Sequence, residues 1–153
     1  MKRLSAWLLM YFLLMLVAHT AYAASAVELF ANPGFSVVHG SLEVLEDSKG
    51  EMTIEDVSKS NSFRDTGEGV PNYRFTESVY WFRFSVTNRT LPDSFILEVG
   101  YPVLDYVSLF YRDADGLFHE TISGDLLPFS RRAKEHRTIT FSPEQSSGST
   151  QEY

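Results

Sequence analysis

Phe95-Ile-Leu-Glu-Val-Gly-Tyr101, Pro102-Val-Leu-Asp105 and Tyr106-Val-Ser-Leu-Phe-Tyr111 follow one another without interruption, and their reading decides the fold. Phe95, Leu97, Val99 and Tyr101 alternate with Ile96, Glu98 and Gly100, the two-residue period of a strand with one buried face. Beyond the break at Pro102, Val107, Leu109 and Tyr111 keep a second alternation, while Tyr106 and Phe110 load the opposite face. Two short strands rich in aromatic and branched residues are not stable alone and need partners on both sides. They are expected to lie next to each other at the centre of an all-β domain, with the rest of the chain covering them.

The chain starts with a segment of a different kind. Lys2 and Arg3 precede an apolar run from Leu4 to Val17 that only Ser5 interrupts, and Ala21-Tyr22-Ala23 supplies the small-x-small pattern of a cleavage site. That run is shorter than the roughly 20 residues a membrane-spanning helix needs. Residues 1–23 therefore read as a secretory signal peptide, with an uncleaved anchor as the alternative. Cleavage would leave 11 basic residues against 20 acidic ones, moving the formal net charge from −7 to −9. An acidic domain without a basic run is not built to neutralise phosphates, so nucleic acid is not an expected partner. Cysteine is absent, which excludes disulfides, thiolate metal sites and cysteine nucleophiles and leaves stability to the core. The residues from Ala24 onward suffice for one domain.

Organisation along the chain follows from its punctuation. Residues 24–36 are a lead-in, with a turn at Asn32-Pro33-Gly34 and a short strand candidate over Phe35–Val38. Leu42, Val44 and Leu45 give another strand, and Asp47-Ser-Lys-Gly50 a turn. Thr53 followed by Asp56 forms a capping box with Asp in place of the usual Glu or Gln, predicting a short helix of about two turns near Ile54–Ser60. Phe63 to Asn72, with Gly67, Gly69 and Pro71, is a loop, either a carrier of binding residues or a solvated connector. Arg112-Asp-Ala-Asp-Gly116 is a hairpin turn, with a return strand over Phe118–Ile122. Arg137 to Ser142 alternates again, Pro143 to Gln151 is loop-like, and Glu152-Tyr153 opens a further strand.

Ser78 to Asn88 is the second informative strand. Tyr80, Phe82, Phe84 and Val86 make one apolar face, expected in the core. The opposite face sets Trp81 two residues from Arg83, a pairing that can stack a sugar ring and donate to its hydroxyls. The competing reading packs Trp81 under a loop or second sheet, with Arg83 stacked or paired to a carboxylate. Enzymatic residues are not evident. His39, His119 and His136 have no ligand spacing, Glu43 and Glu46 read as surface charges, and neither a nucleophile elbow nor a phosphate-binding glycine loop occurs. No catalytic residue, metal or cofactor is therefore expected.

Several segments resemble one known family in order and spacing. They are Asn72-Tyr-Arg-Phe-Thr76, Ser78-Val-Tyr-Trp-Phe-Arg-Phe84 with Asn88, Leu97-Glu98, and Asp105-Tyr106-Val107 to Tyr111. Gly124-Asp125, Pro128-Phe129-Ser130, Arg132, His136 and Arg137 complete the set. From about Val37 to Tyr153 the chain resembles the second extracellular domain type of bacterial seven-transmembrane receptors with diverse intracellular signalling modules. The resemblance implies a jelly-roll β-sandwich similar to carbohydrate-binding modules, over residues 37–153, exported to the periplasm. It implies tethering to the inner membrane by the parent receptor's seven helices, whose cytoplasmic output is a diguanylate cyclase or histidine kinase. The expected ligand is a small molecule, with carbohydrate preferred. A secreted carbohydrate-binding module without a signalling role is the alternative.

On this basis Trp81, Arg83, Asp105 and Arg132 are the candidate ligand-facing residues. For Asp105 and Arg132 a structural salt bridge between corner and loop competes with that role. Arg74 stands where the family commonly has glycine, and Ala133 where it often has proline. The family domain also continues past the position of Tyr153, so the chain is expected to be an N-terminal fragment whose final strands are missing.

Overall fold

A computed structural model describes residues 25–31, 36–89, 94–132, 134 and 136–153. The expected signal peptide, the Asn32-Pro33-Gly34 turn and Ala133 lie outside the described residues. Among the described residues, ten short strands and about 6% helix make the chain an all-β sandwich, as the resemblance implies. The strands pair in four small sheets. β1 (Val27–Leu29), β5 (Ser85–Asn88) and β10 (Thr150–Glu152) form one, and β3 (Arg64–Asp65), β2 (Glu43–Asp47) and β4 (Val79–Arg83) another. β6 (Leu97–Val99) pairs with β9 (Ile139–Phe141), and β7 (Val107–Arg112) pairs with β8 (Phe118–Ser123).

The central alternation holds from Phe95 to Val99: Phe95, Leu97 and Val99 pack on the core while Ile96 and Glu98 face out. Tyr101 departs from it and is 60% exposed, because pairing stops at Val99. The expectation that β6 and β7 lie side by side is not met. β6 takes β9 in antiparallel register, Leu97 opposite Phe141 and Val99 opposite Ile139, whereas β7 takes β8, Val107 opposite Ser123. The stretch around Pro102 is thus a turn between sheets rather than a hairpin, since a two-strand hairpin cannot cover the apolar face of both strands.

One cluster closes the interior: Phe84, Val86, Leu109, Ile139, Phe141 and Tyr153, with Phe95, Leu97, Val99, Val107 and Tyr111 packed against it. Ile139 and Phe141 are the most enclosed, at 0% and 1% exposure. Such removal of apolar side chains from water stabilises the fold by about 1.5–3 kcal/mol for each fully buried residue. The strand read from Ser78 to Asn88 divides at Phe84, where its partner changes from β2 to β10. Phe84 and Tyr153 exchange both backbone hydrogen bonds, at 3.1 and 2.9 Å; a strand is present near the chain's end as expected, but it spans Thr150–Glu152, beginning two residues earlier within the stretch expected to be loop. The lead-in also contributes, because β1 runs parallel to β5 with Val27 opposite Val86. Residues 36–38 form no strand, although Val38 packs on the core.

Local chemistry explains the smaller elements. The helix α1 (Ile54–Ser58) is shorter than expected but begins as predicted: Asp56 N–H donates to the Thr53 hydroxyl at 3.3 Å, and Thr53 N–H to the Asp56 carboxylate at 3.1 Å. The Thr53 hydroxyl in turn donates to the Asp56 carboxylate at 2.8 Å, and this bond first, then that from Thr53 N–H, holds the Asp56 carboxyl below its ordinary range. At the turn after β2, the buried Asp47 carboxylate accepts from the backbone N–H of Met52, Gly50 and Lys49, and its pKa is lowered chiefly by Met52. The hairpin turn between β7 and β8 is closed by Asp113, whose carboxylate accepts from the N–H of Asp115 and Leu117, with Gly116 at φ +80°. In the C-terminal loop Gln145, 3% exposed, donates to the carbonyls of Val86 and Ser149 and accepts from the Tyr153 hydroxyl.

Burial pushes the Tyr153 hydroxyl up to about 12. A phenol whose folded pKa exceeds its unfolded value of about 10 stabilises the fold fully below pH ~10, and that contribution is lost as pH rises toward 12. Unfolding titrations of wild type should therefore lose about 2 kcal/mol across this window through Tyr153 alone. Tyr153→Phe should flatten that alkaline limb, and an unchanged slope would refute the assignment.

Candidate functional site

Two loops meet at one end of the sandwich, and the strand registers dictate it. β6 ends at Val99 and β7 begins at Val107, so residues 100–106 form a corner. β8 ends at Ser123 opposite Val107, and β9 begins with Ile139 opposite Val99, so residues 124–138 span the same end. The loops are joined by backbone bonds: Asp125 N–H donates to Leu104 O at 2.8 Å, and Leu126 N–H to Asp105 O at 3.3 Å.

Gly124 makes that approach possible. Its φ is +147°, and a Cβ at this position would lie 2.1 Å from the Asp105 carbonyl oxygen and 2.8 Å from Tyr106 Cα. Both obstacles are backbone atoms that no side-chain rotation can clear. The corner is therefore latched through main chain.

The four residues expected to face ligand separate into two pairs. Asp105 and Tyr106 protrude from the corner, Tyr106 63% exposed, and the Asp105 carboxylate makes no hydrogen bond or ion pair among the described residues. Arg132 is near but does not pair with Asp105. Its Nη2 lies 3.7 Å from Asp125 Oδ1, its Nη1 donates to the carbonyls of His136 at 3.0 Å and Arg137 at 2.9 Å, and its guanidinium sits 5.1 Å from the Phe129 ring. With its side chain 8% exposed, Arg132 organises the 124–138 loop from within. The latch role considered for Asp105 is carried by its carbonyl, and the Asp105–Arg132 salt bridge weighed as an alternative is replaced by Arg132–Asp125. The same two loops also expose aromatic and aliphatic side chains: Tyr101, Val103, Leu126 and Phe129 are all more than half exposed. Exposed rings beside unpaired carboxylates can stack on a ligand's apolar face and accept from its hydroxyls.

Trp81 and Arg83 lie on β4. Trp81 is half-buried against Phe110 of β7, ring centroids 5.6 Å apart, and its buried Nε1–H has no acceptor among the described residues. Arg83 pairs across the ladder with Glu43, Nη2 to Oε2 at 2.7 Å, and lies over the Phe63 ring at 4.1 Å. Glu43 and Glu46 fall on opposite faces of β2, which removes them as an acid–base pair.

The other face of β4 departs from expectation. Phe84 and Val86 are core, yet Phe82 is 39% exposed. Tyr73, from the 66–77 loop, stacks on Tyr80 with centroids 4.0 Å apart and an interplanar angle of 11°, and tilts toward Phe82 at 6.2 Å. Burial raises the Tyr73 pKa. The loop reaches this position through Arg74, whose φ of +58° is the left-handed conformation that glycine adopts without strain. The Asn72 carboxamide oxygen supports the turn by accepting from Arg74 N–H at 3.0 Å. Sequence reading missed Tyr73 as a partner of β4; the departure from glycine at 74 was the signal that pointed to this turn.

The chain matches the 7TMR-DISM extracellular 2 family over residues 39–153, most of its length, and it belongs to that family. No curated protein and no solved structure matches the chain. The family is a non-catalytic extracellular sensor type, so the chain is an extracellular sensor domain of a membrane receptor and not an enzyme.

Two substitutions test the local readings. Gly124→Ala should destabilise by about 2–4 kcal/mol in chemical denaturation, because the corner must separate from the loop to admit a methyl group. Arg74→Gly should stabilise by up to about 1 kcal/mol by relieving the left-handed strain, and a loss of stability would count against it.

Proposed function

We propose that this receptor domain senses a carbohydrate at the end loops, with Asp105 and Tyr106 as direct contacts. The observation that carries the reading is the Asp105 carboxylate, exposed and without a partner among the described residues, next to the exposed Tyr106 on a corner held in place by Gly124 and backbone bonds to Asp125 and Leu126. Pyranose rings offer an apolar C–H face to an aromatic ring and equatorial hydroxyls to a carboxylate. Rigid backbone support lowers the ordering cost of binding such a flexible, well-hydrated ligand. Arg132 positions the Phe129 side of the site from beneath. Trp81 and Arg83 form a separate patch, engaged with Phe110, Glu43 and Phe63, and are secondary candidates for contact with a longer glycan.

In this reading the domain resides in the periplasm, tethered to the inner membrane by the helices of its parent receptor. Signalling requires that ligand bind two arrangements of the domain with different affinity, since only differential binding shifts an equilibrium. The corner is suited to that role because it joins β6 and β7, which belong to different sheets. A ligand that draws the corner and the 124–138 loop together changes how the two sheets are held.

Calorimetric titration of the purified chain with soluble cello-, xylo-, laminari- and chitohexaose tests the proposal. Tyr106→Ala and Asp105→Asn should each weaken binding of the recognised glycan about tenfold or more, with Trp81→Ala having the smaller effect. Equal binding by wild type and both corner variants would refute the site.

A further inference from the structure

We propose that the free edge of β4 is an interaction surface for a second copy of this chain, which adds its own β4 there in antiparallel pairing. This contact is independent of the carbohydrate reading and of the end loops.

The open edge follows from register. β5 has a neighbour on each side, β1 on one and β10 on the other. β2 lies in line with β1, because the hydroxyls of Ser25, just before β1, and Ser41, just before β2, are 3.2 Å apart. The lane that β10 fills beside β5 therefore runs on beside β4, where no strand lies among the described residues. Phe84 turns its N–H and C=O into that lane to meet Tyr153. Alternate residues of a strand present these groups to the same edge, so those of Tyr80 and Phe82 point outward there. Among the described residues the backbone of Val79–Arg83 pairs with β2 alone.

The two edges of this sheet are built differently. β3 closes one of them with only Arg64 and Asp65, both exposed and charged. Short, charged edge strands keep a sheet from accepting another strand. β4 instead offers Val79-Tyr-Trp-Phe82, without charge, proline or glycine, and Val79 and Phe82 are 43% and 39% exposed. Its one charged member, Arg83, is already held by Glu43 at 2.7 Å and by the Phe63 ring. An uncharged edge rich in β-forming residues is a template for strand addition.

β4 is complementary to itself. With a two-fold axis at Trp81, Tyr80 of each copy stands opposite Phe82 of the other. Both residues direct their main-chain groups outward, so the two pairs exchange about four N–H···O=C bonds. Aromatic side chains then meet across the new ladder. Arg83 falls opposite Val79, so no like charges face each other. The joined sheet, β3–β2–β4–β4–β2–β3, ends on the charged β3 at both sides, and addition stops at a dimer.

Sedimentation equilibrium of the purified chain, without glycan, tests the contact. The wild type should pass from monomer to dimer between about 1 µM and 1 mM, as suits a small interface. Phe82→Lys should raise the dissociation constant about tenfold or more by placing a charge on the edge. Val79→Lys, which sets a cation opposite Arg83 of the second copy, should do the same and decides if Phe82→Lys unfolds by circular dichroism. Disulfide trapping checks the register, because the chain has no cysteine of its own. Trp81→Cys should form a linked dimer on mild oxidation, since Cα atoms paired at the axis lie about 4.5 Å apart. Ile122→Cys, exposed on another sheet, should not. A wild-type chain that stays monomeric at about 1 mM leaves the edge to an unlike strand and overturns the proposal. Association unchanged by the folded lysine variants, or no trapping in a folded Trp81→Cys chain, overturns it as well.

Discussion

The clasp between Phe84 and Tyr153 is the constraint on which the sandwich depends. The two residues exchange both backbone hydrogen bonds and stack their rings at 5.7 Å. Tyr153 then meets Phe95 edge-on at 5.9 Å and Tyr111 at 6.3 Å. One side chain thereby ties Phe84 at the β4–β5 junction, the approach to β6, and β7, three segments that share no ladder with one another. The Tyr153 hydroxyl ends on Gln145, and Gln145 reaches Val86. A buried phenol without such an acceptor would cost about 1–3 kcal/mol, so the polar loop 143–149 is part of the core's solution to its own tyrosine.

With the core held this way, the opposite ends of β6 and β7 are free to differ. Hydrogen bonding stops at Val99 and resumes at Val107, and the chain between them turns outward instead of folding into a hairpin. Its position is set by contacts of the main chain: two carbonyls accept from the 124–138 loop, across a gap that only glycine at 124 permits. That arrangement leaves the side chains of Asp105 and Tyr106 without structural duties. Backbone latching combined with free side chains is what a binding loop needs, because the ligand can engage groups that are already in place.

β4 shows how one strand serves two purposes. Its Arg83 side is internally satisfied, with cation, carboxylate and ring in mutual contact, and Trp81 bridges to Phe110 of another sheet. The alternate residues pass from core at Phe84 to a half-open surface at Phe82. Tyr73 supplies only part of the missing cover. The partly exposed Phe82 is the result.

How much of this was legible in the residues depends on range. The alternation of Phe95, Leu97 and Val99, the Thr53–Asp56 cap and the Asp115-Gly116 turn are local, so their physics is complete within a few residues and the sequence by itself determined them. The motifs from Asn72 to Arg137 likewise sufficed to place the chain among extracellular sensor domains. Partner choice was not legible. Nothing within Leu97–Val99 distinguishes β9 from β7 as its neighbour, since pairing is decided by which apolar faces can be covered at once. The candidate residues divided the same way: Asp105 lies in the corner and Arg132 in the later loop, but the ion pair weighed between them gave way to Arg132–Asp125, because ion-pair partners are set by side-chain reach in three dimensions. The packing of β4, with Trp81 leaning on Phe110 and Phe82 facing partly outward, depends on which elements reach its two faces. That arrangement exists only in the tertiary structure.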